Sequence, residues 1–147
     1  SHTADFILDG GRCRVGVEST IVAFPKGVVQ ILRPGGVSRE ALETALGRRV
    51  AFSEQAGLRV SGALASHYAP KARVLTASGA AFKRLLRTSQ GSVHRVIVLR
   101  GAAVSAERLY DSLRKADDAG ADLILAELPA ERGLGLAVAD RLRKASS

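Results

Sequence analysis

Apolar positions follow two different rhythms along the chain. From residue 74 onward, short apolar runs alternate with helical stripes. Val74-Leu75-Thr76 reads as a short strand, and Phe82, Leu85 and Leu86 stripe a helix ending by Gly91. Val96–Leu99 is a continuous apolar run of the kind found in buried parallel strands. Ser105 is placed to cap a helix striped by Leu109, Leu113 and Ala116 and stopped at Gly120. Leu123–Ala126 is another buried-strand pattern, and Gly133–Lys144 is a last helix with cations in its final turn. Strand and helix alternating at this length predict crossover units, hence a parallel sheet with helices on its faces. Residues 73–147 are therefore expected to form a small Rossmann-like domain.

The first fifty residues are β-rich instead. Asp5–Leu8 predicts a short strand halted by the turn Asp9-Gly10-Gly11. Val15–Phe24 and Val28–Leu32, separated by Pro25-Lys26-Gly27, predict an antiparallel hairpin. Ser38 is an N-cap, Glu40 lies in the first helical turn, Leu42, Ala45 and Leu46 form a stripe, and Gly47 falls where a C′ glycine belongs. Arg48–Phe52 predicts one more strand. Between the two textures, residues 53–72 show neither period. About twenty aperiodic residues is long for a loop inside a compact domain, so this segment is a linker or a functional strap. The expected organisation is 1–52, a linker 53–72 and 73–147.

Composition narrows the picture. Apolar residues make up 46% of the chain, but aromatics only 4%, with no Trp or Met, so Leu, Val, Ile and Ala must build the core. No apolar run reaches the roughly 20 residues needed to span a bilayer, and no leader opens the chain, so no membrane partner is expected. The single cysteine, Cys13, cannot form an internal disulfide, which fits a reducing, cytoplasmic setting. The formal charge of +8 is spread along the chain without a like-charge block and without interleaved aromatics. A solvated basic surface explains it better than a nucleic-acid footprint.

Few residues suggest chemistry. Gly133-Leu134-Gly135 is half a dinucleotide fingerprint at the wrong helix, and reads as packing. His2, His67 and His94 lack metal-ligand spacing, so no metal site is expected. Cys13 has no base placed near it by sequence, and reads as an idle thiol. Glu18-Ser19-Thr20 stands out, because core strands seldom carry three adjacent polar residues. The trio sits at an edge or bend, or it serves a ligand, and a ligand is the reading adopted here. Hydroxyls at Ser19 and Thr20 suit a carboxylate or an adenylate. Arg33, followed by the Pro34-Gly35 turn, offers a fork matched to phosphate or carboxylate. His67 and Tyr68, in the linker, add a titratable ring and a phenol.

These segments resemble a known family. Asp9-Gly10-Gly11, Gly16-Val17-Glu18-Ser19-Thr20-Ile21-Val22, Ile31-Leu32-Arg33-Pro34-Gly35, Ser66-His67-Tyr68-Ala69-Pro70 and the ending from Gly133 to Ala145 occur in that order. Together they resemble the two-domain form of the YrdC-like threonylcarbamoyl-AMP synthases. The resemblance implies a fold in which 1–52 is the C-terminal part of a twisted YrdC-like α/β catalytic domain. Residues 53–72 become a linker carrying His-Tyr-Ala-Pro, and 73–147 the Rossmann-like domain. It implies a nucleotidyltransferase reaction of ATP, L-threonine and bicarbonate, giving threonylcarbamoyl-AMP and pyrophosphate for t6A modification of transfer RNA. ATP is then a substrate accompanied by Mg2+, with no tightly bound cofactor, and tRNA-modifying transferase machinery is the downstream partner. By the same resemblance Ser19 contacts threonine, Arg33 the ATP phosphates and Tyr68 the nucleotide, while Glu18, Thr20 and His67 support the cavity wall. No catalytic residue is assigned. Ala23 departs from the aspartate that the family usually has there. The family's N-terminal part, which brings most of the ATP and threonine contacts, is not in these residues. The expectation is that the chain alone is inactive and that its unpaired strand edges favour self-association. Two other readings stand beside this one: a regulatory domain that only docks the linker, and a basic module that binds transfer RNA.

Overall fold

The computed structural model describes residues 6, 8–11, 13–52, 69–89, 91 and 95–146. It contains two three-stranded sheets. The first orders its strands β1 (Ile21–Ala23), β2 (Gln30–Arg33) and β3 (Ala51–Phe52), with β2 central. β1 runs antiparallel to β2, as the hairpin pattern predicts, and β3 runs parallel to it. The register slips between Ile21 and Val22. Helix α1 (Arg39–Leu46) begins where expected: the Ser38 side chain accepts the Ala41 N–H at 3.2 Å, and Gly47 closes the helix at φ 63°.

β1 is much shorter than the ten residues that its β-branched sequence suggested. Residues 15–20 carry no strand pairing, because their polar groups bond to other partners, described below. Phe6 and Leu8, the described residues of the expected first strand, are not in a strand and are almost fully exposed.

The second sheet is all parallel, in the order β4 (Arg73–Ala77), β6 (Leu123–Glu127), β5 (Val96–Leu99). The α/β character and the parallel sheet agree with the sequence pattern. The last strand is central, however, whereas nucleotide-binding Rossmann halves are built outward from the first strand. A continuous apolar run does not say which strand is central. The β5 run is an edge strand with Val98 40% exposed, while Ile124, Leu125 and Ala126 of β6 are sealed.

Helices α3 (Leu109–Asp118) and α4 (Gly135–Ala145) share a core with one sheet face. Leu109, Leu113 and Ala116 meet Val138 and Leu142 over Val74, Ile124 and Ala126. Helix α2 (Gly79–Thr88) packs on β4 and β6, and its buried Phe82 lies outside that cluster, which by strand alternation assigns it to the Leu125 face. Helix α3 starts at Leu109, four residues after the expected cap. The Ser105 side chain caps nothing; its carbonyl accepts the Arg108 and Leu109 N–H groups and leads a turn into the helix. Asp117 of α3 receives the Lys71 and Ala72 N–H groups at 2.8 and 3.1 Å, which fixes the chain as it enters β4. Among the described residues no helix is long and apolar enough to cross a membrane.

Candidate functional site

Of the polar trio only Ser19 is brought against Arg33; Thr20 and Glu18 bond elsewhere. Arg33 lies at the end of the central strand β2 and is buried among β1, β2 and the turn that follows. Its Nε and Nη2 donate to the Ser19 carbonyl at 3.1 and 3.0 Å, and Nη2 also reaches Ser19 Oγ at 3.0 Å. A guanidinium and an exposed hydroxyl are thereby held side by side at the sheet edge. That pair suits an anionic group, carboxylate or phosphate.

Thr20 has a different task. Its hydroxyl donates to the Val37 carbonyl at 2.6 Å and accepts the Val37 N–H at 3.0 Å, tying the start of β1 to the turn ahead of α1. Beside it, Gly36 N–H donates to the Glu18 carbonyl at 2.8 Å. Gly35 runs so close to residues 18 and 19 that a Cβ there would overlap their backbone. Ala23 of β1 pairs with Gln30 of β2.

Glu18 faces away from the Ser19–Arg33 pair, toward α3 and α4. Its carboxylate accepts Arg141 Nε at 3.1 Å and Nη2 at 2.9 Å, and the Tyr110 hydroxyl at 3.2 Å. Arg141 Nη2 also donates to the Pro34 carbonyl at 3.1 Å. On the other side Arg141 pairs with Asp140, whose carboxylate in turn receives Lys144 at 3.0 Å. Arg141 and Asp140 are both buried, while Glu18 and Lys144 at the two ends stay partly exposed, so the centre of this chain of charges is withdrawn from solvent.

The electrostatics agree with the geometry. Burial pushes the Glu18 carboxyl up, but a backbone hydrogen bond and then the Arg141 guanidinium outweigh it, leaving it below the usual range. Tyr110 is pushed up to about 12, first by burial and then by the Glu18 charge. Burial lowers the basicity of Arg141, yet its hydrogen bond to Glu18 and the Asp140 charge more than reverse this.

Two apolar features seat the same segment. Val17 packs against the core shared by α3 and α4. Gly16, at φ 71°, lies against the Ala106 carbonyl and Glu107 Cα so closely that any side chain would collide. Farther along, Gly133 N–H, from the half-fingerprint, donates to Glu40 Oε2 at 3.2 Å. That amide holds a carboxylate of α1 in this chain, in keeping with a packing role.

His67 and Tyr68 lie outside the described residues. The two residues after them, Ala69 and Pro70, line a cleft of about 210 Å³ with Tyr110, Leu113, Arg114 and Asp117. Tyr110 thus stands between the end of the linker and Glu18. Among the described residues no group of three His, Cys, Asp or Glu side chains could hold a metal ion.

The sequence reading missed Arg141, Asp140 and Tyr110. One signal was available: Arg141 lies three and four residues after Val138 and Ala137, on the buried stripe of α4. A charge inside an apolar stripe announces a partner, but the partner, 123 positions earlier, follows no local rule.

Residues 37–147 match the family described as "Threonylcarbamoyl-AMP synthase, C-terminal domain". The threonylcarbamoyl-AMP synthase of Pyrococcus abyssi is 34% identical over 165 residues, covering 95% of this chain and 48% of that protein. The synthase of Bacillus subtilis is 32% identical with the same coverage. A crystal structure of P. abyssi Sua5 complexed with L-threonine superposes with a TM-score of 0.75 at 32% identity, over 94% of this chain and 48% of that one. The chain thus spans about half the length of the curated relatives it matches.

Proposed function

The chain belongs to the threonylcarbamoyl-AMP synthase C-terminal domain family, and from that premise we propose that it forms part of an L-threonylcarbamoyladenylate synthase. The reaction takes ATP, L-threonine and bicarbonate to threonylcarbamoyl-AMP and pyrophosphate, and serves t6A modification of transfer RNA in the cytoplasm. The observation that carries this reading is the Arg33–Ser19 pair. It sets a buried cation against a hydroxyl on the wall where a carboxylate substrate and a nucleotide phosphate must meet. Likeness to a Sua5 complexed with L-threonine supports threonine as the ligand.

In this proposal Ser19 contacts the threonine, Arg33 balances phosphate charge, and Tyr68, on the linker 53–72, reaches the nucleotide. Residues 1–52 complete the catalytic domain, and 73–147 form the supporting domain. Thr20 acts as a backbone clamp behind the wall, and Glu18 ties the wall to the second domain. Mg2+ arrives with ATP; the described residues offer it no acidic cluster, so no step is assigned to it. The 147 residues alone supply too few cations around the phosphates to stabilise the transition state.

The test is pyrophosphate release by the full-length protein that carries this chain, with threonine and bicarbonate each withheld in turn. Turnover that needs both supports the proposal; no turnover, or turnover indifferent to threonine, refutes it. The isolated 147 residues are expected to release none. Ser19→Ala should raise the KM for threonine about tenfold, the loss of one hydrogen bond to a charged group.

A further inference from the structure

Ser19, on the segment that leads into β1, meets Arg33 at the end of β2, and a second arginine bonds the neighbour of each. The Arg141 guanidinium holds Glu18, one residue before Ser19, and the Pro34 carbonyl, one residue after Arg33. It comes from α4, at the far end of the chain. The two segments are not equally secure without it. β2 is the central strand of its sheet, with Ile31 sealed in the core. Residues 15–20 precede β1 and pair with no strand. Their places are set by the Glu18–Gly36 and Thr20–Val37 bonds, by the Arg33 bonds to Ser19, by Val17 and Gly16 against the second core and its leading turn, and by Tyr110 and Arg141 on Glu18.

From this arrangement we infer that Arg141 is a positioning residue for the threonine subsite, acting through Glu18 to set where Ser19 stands relative to Arg33. Arg141 touches no substrate. Its fork bonds a carboxylate and a carbonyl at once, which one ammonium cannot reproduce in the same geometry. Because the less anchored segment, ahead of β1, carries Ser19, loss of Arg141 displaces Ser19 more than Arg33. Threonine use therefore suffers more than ATP use. The inference rests on the proposed function, since the subsite is defined by it.

The experiment compares Arg141→Met and Arg141→Lys with the wild type in the full-length protein. For Arg141→Met we expect the KM for threonine to rise about tenfold and the KM for ATP to change less than about twofold. Arg141→Lys should recover roughly half of the loss on a logarithmic scale, having the charge but not the fork. In a Glu18→Gln background the Arg141→Met effect should shrink, since both act through one contact. A general loss of folding would lower the active fraction and kcat without separating the two KM values. Should Arg141→Met fail to fold, Arg141→Lys alone decides, with a threonine-specific rise of about threefold expected. Equal changes in both KM values, or none, overturn the inference while leaving wild-type activity, and so the proposed function, intact. If the wild type itself shows no turnover, the proposed function fails and the threonine subsite with it, and hydrogen exchange at the Gly36 amide then tests only whether Arg141 positions the Glu18–Ser19 segment. Faster exchange in the Arg141 variant supports the positioning role, and unchanged exchange overturns it.

Discussion

The two sheets carry unequal cores. The second is sealed by a cluster of Leu, Val, Ile and Ala from three strands and three helical segments, with Ile124, Leu109 and Leu142 wholly buried. Around the first sheet, among the described residues, Val29, Ile31 and Val50 form a small buried cluster with Val22, Leu42 and Phe52 partly buried against it, α1 buries no residue fully, and Phe24, Val28, Val37 and Leu46 stand exposed. Yet the candidate site is on the first. A thin core cannot by itself fix a side chain to a fraction of an ångström, because few contacts resist displacement. Here the missing rigidity is borrowed: Gly16 lies on the 106–107 turn ahead of α3, Val17 packs on the core of α3 and α4, and Glu18 bonds Tyr110 and Arg141 of those helices. The region with chemistry to offer and the region with rigidity to offer are different parts of the chain.

The strongest way to break this contrast is in the sealed core. Leu142→Ala removes a wholly buried side chain from the residue next to Arg141. It should cost about 2–5 kcal/mol in urea unfolding. Gly16→Ala attacks the seat itself. A left-handed φ and a collision with the backbone at 106–107 should cost about 2 kcal/mol, read as a lower thermal midpoint.

Glu18→Gln keeps the side-chain shape but removes the charge facing Arg141, and should cost about 1 kcal/mol at neutral pH. Its pH dependence has a definite sign. The folded carboxyl titrates below its ordinary value of 4.5. Its contribution is complete above that value and disappears as the pH falls through the lower folded one. The gap between wild type and Glu18→Gln should therefore close in acid unfolding below about pH 4.5. Tyr110 acts in the opposite direction. Raised from 10 to about 12, it favours the folded protein up to pH 10, and that share is lost between 10 and 12. Tyr110→Phe should flatten the alkaline slope in the same denaturation series. The smallest effect is expected at the exposed edge of the first region, where Leu46→Ala should change stability by less than about 0.5 kcal/mol.

Much of this was legible in the chain. Ser38 with Gly47 marked α1, and the alternation after residue 73 marked the parallel sheet and its helices, because caps and periodicity are local. Ser19 and Arg33 could be singled out since polar residues within β-branched runs conflict with the pattern. What stayed hidden was non-local. Val96–Leu99 has the composition of a central strand and sits at the edge, because strand order is decided by how the crossovers pack. Val15–Thr20 has strand propensity, but Gly16 packs against the turn at 106–107 and Glu18 bonds Tyr110 and Arg141, contacts that replace a sheet ladder. The resemblance sets Glu18 in the cavity wall beside Ser19, and its carboxylate bonds Tyr110 of α3 and Arg141 of α4, which no local pattern announces.

The coupling between the two regions is measured most directly by a double-mutant cycle of Glu18→Gln and Arg141→Met, followed by urea unfolding at neutral pH. If Arg141 holds the site-bearing segment through Glu18, the two losses overlap, and the double variant falls short of their sum by about 1 kcal/mol or more. Losses that add to within about 0.5 kcal/mol would mean that the two residues act independently, and would contradict the borrowed rigidity of the Ser19–Arg33 wall.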